Sequence, residues 1–366
     1  MPIYMDVHII PGIKAKDVAE AHQKDLFHQD EYGCKCMTYW VDEERENVFC
    51  LIDAPGKDVV EKMHNRAHGL IPNKIIEVSS SLVQSFLGRI YDPAEAVTTD
   101  TGLKVFHDPS FRILLVTLIN DPILLQHQLG EEKTNSLLQQ HNDIIRKELA
   151  SHEGSEVEQA GVGFIGSFIS AAKAVACAIA VQKDIAAAGL NELELKIAIN
   201  AGEPIHKSDR LFGDTIQSAK YLGSLAKEGE IAIAPVVKEL VSKDLFQNKN
   251  NPIVAISAPD ENLLALLFGK LEENWQDPDF SVVDYCKAMS MSKSQLYRKT
   301  TEFFGLSPNL LLKDFRLEKA KELMKQGQNI SQVTFNCGFT SPSYFTKCFK
   351  KKYGLLPMAY LELLEG

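Results

Sequence analysis

The apolar pattern of this chain changes character once, near residue 260 of 366. Before that point, short β-rich runs alternate with segments of helical period. From Glu261 onward every apolar pattern has a helical period, broken at Asp277-Pro278, Gly305 with Pro308, Gly327, Gly338, Pro342 and Gly354. A chain that pairs strands in one part and packs only helices in another must divide into units. Its length fits roughly 2–3 domains.

Within the strand-bearing part, residues 2–10 (PIYMDVHII) are β-rich and end at the turn signal Pro11-Gly12. Lys16–Gln29 places Val18, Ala21, His22 and Leu26 on one helical face, and Gly33 ends that element. Cys34–Val41 and Asn47–Ile52 read as strands around an acidic hairpin loop. Lys57–His68 reads as a helix ended by Gly69 and Pro72, and Lys74–Val78 as a last strand. This β-α-β-β-α-β order is the ferredoxin-like pattern. Ser79–Asp100 is polar, carries Asp92-Pro93 and suits a linker. Phe111–Ile119 (FRILLVTLI) then opens a second α/β unit as a nearly continuous apolar strand. A helix is expected near Glu131–Glu148, a strand at Gly161–Phe168, an Ala-rich helix at Ile169–Ala187 and a strand at Leu195–Ala201. A helix at Ser218–Ala226, a strand at Glu230–Ala234 and a polar break at Asn248–Asn251 follow. The expected fold class is therefore multidomain α+β. It comprises a ferredoxin-like βαββαβ domain at 1–80, a linker at 81–108, an α/β domain at 109–250 and an all-α domain at 261–366.

The formal net charge of −10, taken whole, argues against a nucleic-acid binder. Its distribution argues otherwise. Residues 1–259 carry −11 and residues 260–366 carry +1, and within the latter Lys287–Lys352 reaches +9. A basic module on an acidic carrier is the expected arrangement. No run of 18 apolar residues exists, so no membrane span is expected. The first residues, MPIYMDVHIIPG, lack a basic region followed by an apolar core, so no secretory signal is expected. Seven Cys, an odd number, favour reduced thiols and a cytoplasmic location.

Two stretches of the basic region repeat one design. In Ser281–Phe304 a helix breaks at Met289–Met291, Ser292 is placed as an N-cap, and the next helix presents Ser294, Gln295, Arg298 and Lys299 outward. In Ile330–Tyr353, Gly338 permits a tight turn and Ser341-Pro342 opens a helix bearing Ser343, Thr346, Lys347, Lys350 and Lys351. A helix with Arg and Gln at its exposed N-terminal turns can enter the major groove, where Arg reads guanine and Gln reads adenine. Leu310–Met324 is a helix between the two. The segments "MSKSQLYRK", "GLSPNLLLKDFRLEKA" and "GFTSPSYFTKCFKKKYGLLP" resemble the DNA-binding domain of AraC-type transcription regulators. The resemblance implies two helix-turn-helix units on a linker helix. It implies Ser294, Gln295 and Arg298, then Ser343, Thr346 and Lys347, as base-readers. Lys299, Lys350 and Lys351 would meet phosphates, which position without specifying. Lys347 and Leu361 depart from the family, which more often has Arg at both positions.

The N-terminal unit is rich in imidazole and thiol. Five of ten His (His8, His22, His28, His64, His68) and three of seven Cys (Cys34, Cys36, Cys50) lie in its first 68 residues. His64 and His68 are four apart on a helix and share a face; His8 shares a strand face with Tyr4 and Asp6, and His22 a helix face with Asp25. Imidazole with thiolate suits Ni, Zn or Cu rather than Mg or Ca. Cys50, alternating within an apolar strand, reads as core. The segments "VFCLIDAP", "HNRAHG" and "PNKIIEV" resemble the small ferredoxin-like family of nickel-binding proteins. The ligand set chosen is His8, His22, His64 and His68, with Cys36 as a further candidate and nickel or zinc as the metal.

Residues 112–240 resemble the class III nucleotide cyclase catalytic domain, through "RILLVTLIND", "GVGFIGSF", "LKIAINAGEP" and "FGDTIQSAKYLGSLAKEGEIAIAP". The resemblance places the family's two metal-binding carboxylates at Leu118 and Val162 and its catalytic Asn and Arg at Gln217 and Tyr221. Leu and Val cannot hold Mg²⁺, so an inactive cyclase-like domain is expected. Asp121 and Asp214 are poor substitutes, one lying past its strand and the other in a turn. The family implies dimerisation. Together the features point to a cytoplasmic transcription regulator and not an enzyme. Its partners are double-stranded DNA, a second copy of the chain and a metal or small-molecule effector. A metal-buffering protein with an accessory DNA-binding domain and a nucleotide cyclase are the alternatives.

Overall fold

In the computed structural model, which describes residues 1–94, 96–99, 103–157, 163–244 and 252–365, the N-terminal unit is a four-stranded antiparallel sheet covered by two helices. The elements are β1 (Ile3–Ile9), α1 (Ala15–His28), β2 (Lys35–Asp42), β3 (Asn47–Asp53), α2 (Lys57–Ala67) and β4 (Lys74–Val78), in the spatial order β2-β3-β1-β4. This is the expected βαββαβ order. Alternate residues of a strand face opposite ways, and here both faces are buried. Met5, Val7, Trp40, Phe49, Leu51 and Ile76 join one apolar cluster with Ile113–Val116 of the middle unit. Tyr4, Cys36, Cys50 and Ile52 pack on the other side with Val18 and Ala19 of α1 and Val60 and Met63 of α2.

The stretch read above as a linker is more structured than its polarity suggests. Ser79 accepts a hydrogen bond from the Leu82 N–H and caps α3 (Ser80–Leu87), whose Val83, Phe86 and Leu87 enter the shared core. A two-stranded ribbon, β5 (Val97–Thr98) with β6 (Lys104–Val105), follows. The middle unit is a mixed six-stranded sheet, with the strands numbered in chain order. They are β7 (Arg112–Leu118), β8 (Ser155–Val157), β9 (Ile165–Phe168), β10 (Lys196–Gly202), β11 (Ile231–Ile233) and β12 (Ile253–Ala255), ordered β12-β11-β10-β7-β9-β8. β10, β11 and β12 run parallel, and the other pairs are antiparallel. Its helices are α4 (Pro122–Leu129), α5 (Glu131–Ser151), α6 (Ala171–Ala187), α7 (Gly213–Gly223) and the short α8 (Pro235–Glu239). The helix expected at Ser218–Ala226 starts five residues earlier, because the "FGD" turn is its first turn. The polar break expected at Asn248–Asn251 lies outside the described residues.

From residue 258 onward only helices occur among the described residues. They are α9 (Ala258–Asn274), α10 (Val282–Ala288), α11 (Lys293–Phe304), α12 (Pro308–Lys325), α13 (Ile330–Asn336), α14 (Pro342–Tyr353) and α15 (Pro357–Glu365). Local chemistry dictates these limits. Ser281 with Asp284, Ser292 with Gln295 and Asn329 with Gln332 form reciprocal capping boxes at the starts of α10, α11 and α13. The first helix-turn-helix unit has its own apolar core around Tyr285, Leu296 and Leu311, and the second around Phe345, Phe349 and Tyr360.

The middle unit touches both cores. The Tyr221 ring of α7 stacks on Phe268 of α9, with centroids 4.2 Å apart and planes 6° from parallel, and Leu225 packs beside it against the first core. Ile123 and Leu124 of α4 pack against the second. Above them, Asp121 caps α4 by accepting from the Ile123 N–H at 3.0 Å. Its carboxylate also accepts from Lys325 Nζ and the Tyr360 hydroxyl, both at 2.9 Å, with Lys321 Nζ at 3.4 Å. Burial works to raise this carboxyl, but the Lys321 and Lys325 ammonium groups outweigh it and hold it below its usual range. Its contribution is therefore full above the free carboxylate range of ~4 and is lost as pH falls through the lower folded value. Asp121→Asn is expected to cost about 2 kcal/mol at neutral pH. It is also expected to remove part of the acid sensitivity; urea unfolding at neutral and acid pH checks both.

Candidate metal centre and nucleic-acid interface

Three elements deliver the polar side chains of the N-terminal unit to one buried point. β1 contributes Asp6 and His8, two residues apart and hence on one face. α1 contributes Asp25. α2 contributes His64, and His68, one turn on, closes the helix as its C-cap. His64 sits in the middle, fully buried. Its Nε2 lies 2.9 Å from Asp6 Oδ2, and its Nδ1 lies 3.0 Å from Asp25 Oδ1 and 3.1 Å from His68 Nε2. His68 Nε2 is also 3.1 Å from Asp25 Oδ1, while its Nδ1 accepts from the Leu70 N–H. His8 Nε2 stands 3.4 Å from Asp6 Oδ1, a buried atom with no hydrogen-bond partner of ordinary geometry.

The electrostatics follow from this packing. Burial alone would lower the His64 imidazole, yet Asp6 and Asp25 outweigh it and push it up to about 10. Burial alone would raise the carboxyls. For Asp6, His64 and His8 outweigh it and hold the group far below the carboxylate range; for Asp25, His64 and His68 outweigh it and lower the group. Without a metal the centre is thus an imidazolium clamped between two carboxylates. Displacing one of its protons leaves one imidazole nitrogen to face a cation beside a carboxylate oxygen, while the other N–H still donates to the second carboxylate. The ligand atoms of Asp6, His8 and His64 lie within 4.8 Å of one another, as do those of Asp25, His64 and His68.

His22 lines a cavity of about 80 Å³ beside this centre, together with His8, Asp25, Cys50 and His68. Its ring centroid is 5.2 Å from that of Tyr39, and burial lowers its imidazole against the opposing pull of Asp92 and Asp25. Cys36 points elsewhere, its Sγ 3.8 Å from Met63 Sδ, and burial followed by Asp25 pushes its thiol above the usual range. Cys50 pairs with Asp6 in the β1–β3 register, and its buried thiol is raised well above normal. Protonated thiols are poor ligands. The structure therefore brings His8, His64 and His68 together, sets His22 beside them and leaves Cys36 apart. Asp6 and Asp25 were outside the chosen set. The readable signal was their shared face with His8 and with His22.

In the first helix-turn-helix unit, Ser294, Gln295 and Arg298 are exposed on α11. The Gln295 side-chain oxygen accepts from the Ser292 N–H at 2.9 Å, which orients its amide. Lys299 is half-buried, 3.1 Å from Glu302 and 3.6 Å from Asp260. In the second unit Ser343, Lys347, Lys350 and Lys351 are exposed and Thr346 is half-buried. In the middle unit Leu118 ends β7 beneath Gly223, where an added Cβ would come within 2.5 Å of it. Val162 lies outside the described residues. The Asp214 carboxylate accepts from the Lys207 and Ser208 N–H groups at 2.9 and 2.7 Å. No helix of the described residues is long and apolar enough to cross a membrane.

Comparison with known proteins assigns each part separately. Residues 4–78 match the family described as nickel responsive protein SCO4226-like, and residues 285–362 match a helix-turn-helix domain family. The chain is 32% identical over 103 residues to the uncharacterized HTH-type transcriptional regulator YidL of Escherichia coli K12, covering 28% of this chain and 33% of that protein. It is 31% identical over 117 residues to the putative adenylate cyclase 3 of Rhizobium meliloti, covering 30% and 20%. The crystal structure of SCO4226 from Streptomyces coelicolor A3(2) is similar at 31% identity and a TM-score of 0.20, covering 21% of this chain and 94% of that one. The chain spans from 8% to 41% of the length of such curated relatives.

The raised His64 imidazole makes a further expectation testable. A group raised from about 6.5 to about 10 adds stability that is complete below the lower value and is lost as pH rises through the upper. In chelator-treated protein, His64→Gln is expected to lower the urea midpoint clearly near pH 6 and much less near pH 10.

Proposed function

We propose that this chain, with an AraC-type helix-turn-helix domain at its end, a nickel-responsive-type domain at its start and a cyclase-like region between, is a metal-responsive regulator of transcription. The observation that carries the reading is the buried convergence of three imidazoles and two carboxylates, with Asp6 Oδ1 short of a partner. Nature rarely buries such a set without compensation. Nitrogen and oxygen donors of this mixture suit nickel or zinc. Asp6 and His8 with His64, or Asp25 and His68 with His64, would hold the metal, with His22 at the edge. The ion would supply the positive charge that His64 provides in its absence.

On DNA, Ser294, Gln295 and Arg298 read one stretch of major groove, and Ser343, Thr346 and Lys347 read the next. Lys350 and Lys351 meet phosphates; Lys299 does so only after leaving Glu302 and Asp260. The signal reaches these residues through the middle unit, which shares the N-terminal core and grips both helix-turn-helix units. It can act only by binding the DNA-competent and incompetent states with different affinity. The chain works as a homodimer in the cytoplasm. The middle unit serves as structure and not as catalyst, because Leu118 stands where a metal carboxylate is required and Asp121 is taken up by lysines.

The test uses duplexes selected from random sequence by the full-length protein. Arg298→Ala is expected to cost about 1–3 kcal/mol and to relax one position of the selected site. Lys350→Ala is expected to weaken all sequences alike and to flatten the salt dependence. Added Ni²⁺ or Zn²⁺ is expected to shift operator affinity or oligomeric state; no change in either would overturn the reading in favour of a metal buffer. Formation of cyclic nucleotide from ATP or GTP with Mn²⁺ would overturn the non-catalytic assignment.

A further inference from the structure

We propose that the centre holds one divalent cation, on the Nε2 edge of His64 with Asp6 and His8, and that Asp25 and His68 on the opposite edge position the ring without touching the ion. This deepens the metal-centre reading above, by choosing between its two sets of donors, and rests on it. Hydrogen-bond roles separate the two edges. On the Nδ1 edge every group is already matched. The Leu70 N–H donates to His68 Nδ1 at 3.1 Å, which leaves the proton of that ring on Nε2. His68 Nε2–H and His64 Nδ1–H then both donate to Asp25 Oδ1, at 3.1 and 3.0 Å. A cation on His68 Nε2 would force that proton to Nδ1, against the Leu70 N–H.

The Nε2 edge is unfinished. Asp6 is 1% exposed, and its Oδ1 has no hydrogen-bond partner of ordinary geometry. His8 Nε2 stands 3.4 Å from that oxygen. That is longer than a charge-assisted N–H···O bond of about 2.7–2.9 Å. Two donors that each lie about 2.0–2.2 Å from one tetrahedral ion are about 3.3–3.6 Å apart, so the spacing is that of co-ligands. His64 Nε2 completes the set, 2.9 Å from Asp6 Oδ2, and the ligand atoms of all three residues lie within 4.8 Å of one another. Charge closes on this edge. The ion displaces one proton, from His64 Nε2, and meets Asp6 directly. Asp25 keeps the His64 Nδ1–H and answers the ion through the ring, as in a carboxylate–histidine–metal triad. One divalent charge thus faces two buried carboxylates. Three protein donors leave a position for a non-protein ligand. The cavity of about 80 Å³, walled in part by His8 and His22, has room for water.

The experiment uses full-length protein stripped by chelator, reloaded with Zn²⁺ or Cu²⁺ and freed of excess metal by gel filtration. Metal analysis is expected to find one ion per chain. In the Cu²⁺-loaded wild type, pulsed paramagnetic resonance is expected to count two ligated imidazoles through their remote nitrogens. His8→Gln and Asp6→Asn are expected to lose the ion on the column, with circular dichroism confirming that they fold. His68→Gln is expected to keep the ion and both imidazoles. Asp25→Asn is expected to keep them too, with affinity about 10- to 100-fold weaker and with the quadrupole frequencies of one remote nitrogen shifted. Loss of the ion or of an imidazole signal in His68→Gln would overturn the choice of edge and leave the metal-centre reading standing. So would an ion retained in full by His8→Gln, or two ions in the wild type. An Asp25→Asn variant unchanged in affinity and quadrupole frequencies would overturn the positioning role. No ion bound at all would overturn both readings.

Discussion

The N-terminal sheet has no wet face, and the rest of the structure depends on that burial. One side of β1, with Met5 and Val7, is continuous with the strands of the middle unit through Trp40, Phe49 and Phe86. The other side carries Asp6 and His8 under α1 and α2. Consecutive residues of one strand therefore belong to an apolar joint and to a charged centre. Close packing transmits displacement where a fluid interior would absorb it. A change in the volume or charge around Asp6 must be accommodated by Met5 one residue away, which lies in the apolar cluster that β7 also enters. Charges placed on the covered face cannot be hydrated, so they must answer one another. The Asp6–His64–Asp25 arrangement meets that requirement.

The same economy of charge recurs at the other end of the middle unit. Asp121 gathers two lysines and a tyrosine from the DNA-binding domain at the cap of a helix that is itself packed on that domain. Together with the Tyr221–Phe268 stack it gives the middle unit one hold on each helix-turn-helix core. Such a carboxylate is a weak source of net stability but a strong determinant of geometry, because removing it leaves cations unpaired in a partly buried place.

Much of the fold was legible because short-range rules govern it. The βαββαβ order followed from strand runs separated by Gly33, Gly69 and Pro72. The two helix-turn-helix units followed from Ser292 as an N-cap, from Gly338 at the second turn and from Ser341-Pro342 opening the last helix; Ser281 and Asn329 cap the first helix of each unit as well. Helix α3 was not legible, since SSLVQSFL is short and half polar and looks like linker until a neighbouring sheet buries Val83, Phe86 and Leu87. In the centre, His64 and His68 were legible from their spacing of four, and His8 from its strand face. Asp6 and Asp25 were not chosen because an aspartate in a strand or helix is ordinarily solvated. Only the packing of α1 and α2 over β1 turns the two inward toward the same ring. Cys36 was kept as a possible ligand because sequence cannot show that its thiol packs against Met63. The partners of Asp121 lie about 200 and 239 residues away along the chain, a separation no local pattern can bridge.

One glycine fixes how the two helix-turn-helix units relate. Gly338, at φ +69°, opens the turn of the second unit, and an added Cβ there would lie 2.6 Å from the Trp275 carbonyl oxygen. That carbonyl accepts from Arg316 Nε at 2.8 Å, and the Asp277 carbonyl accepts from the same guanidinium at 2.6 Å. The backbone leading into the first unit is thus pressed against the turn of the second, with an arginine of α12 riveting the two. The matched family segment begins at residue 285, ten residues past that carbonyl. A fragment cut at that limit would keep α11 and α14 and lose the joint between their units, leaving α12 alone to set the distance from one to the other.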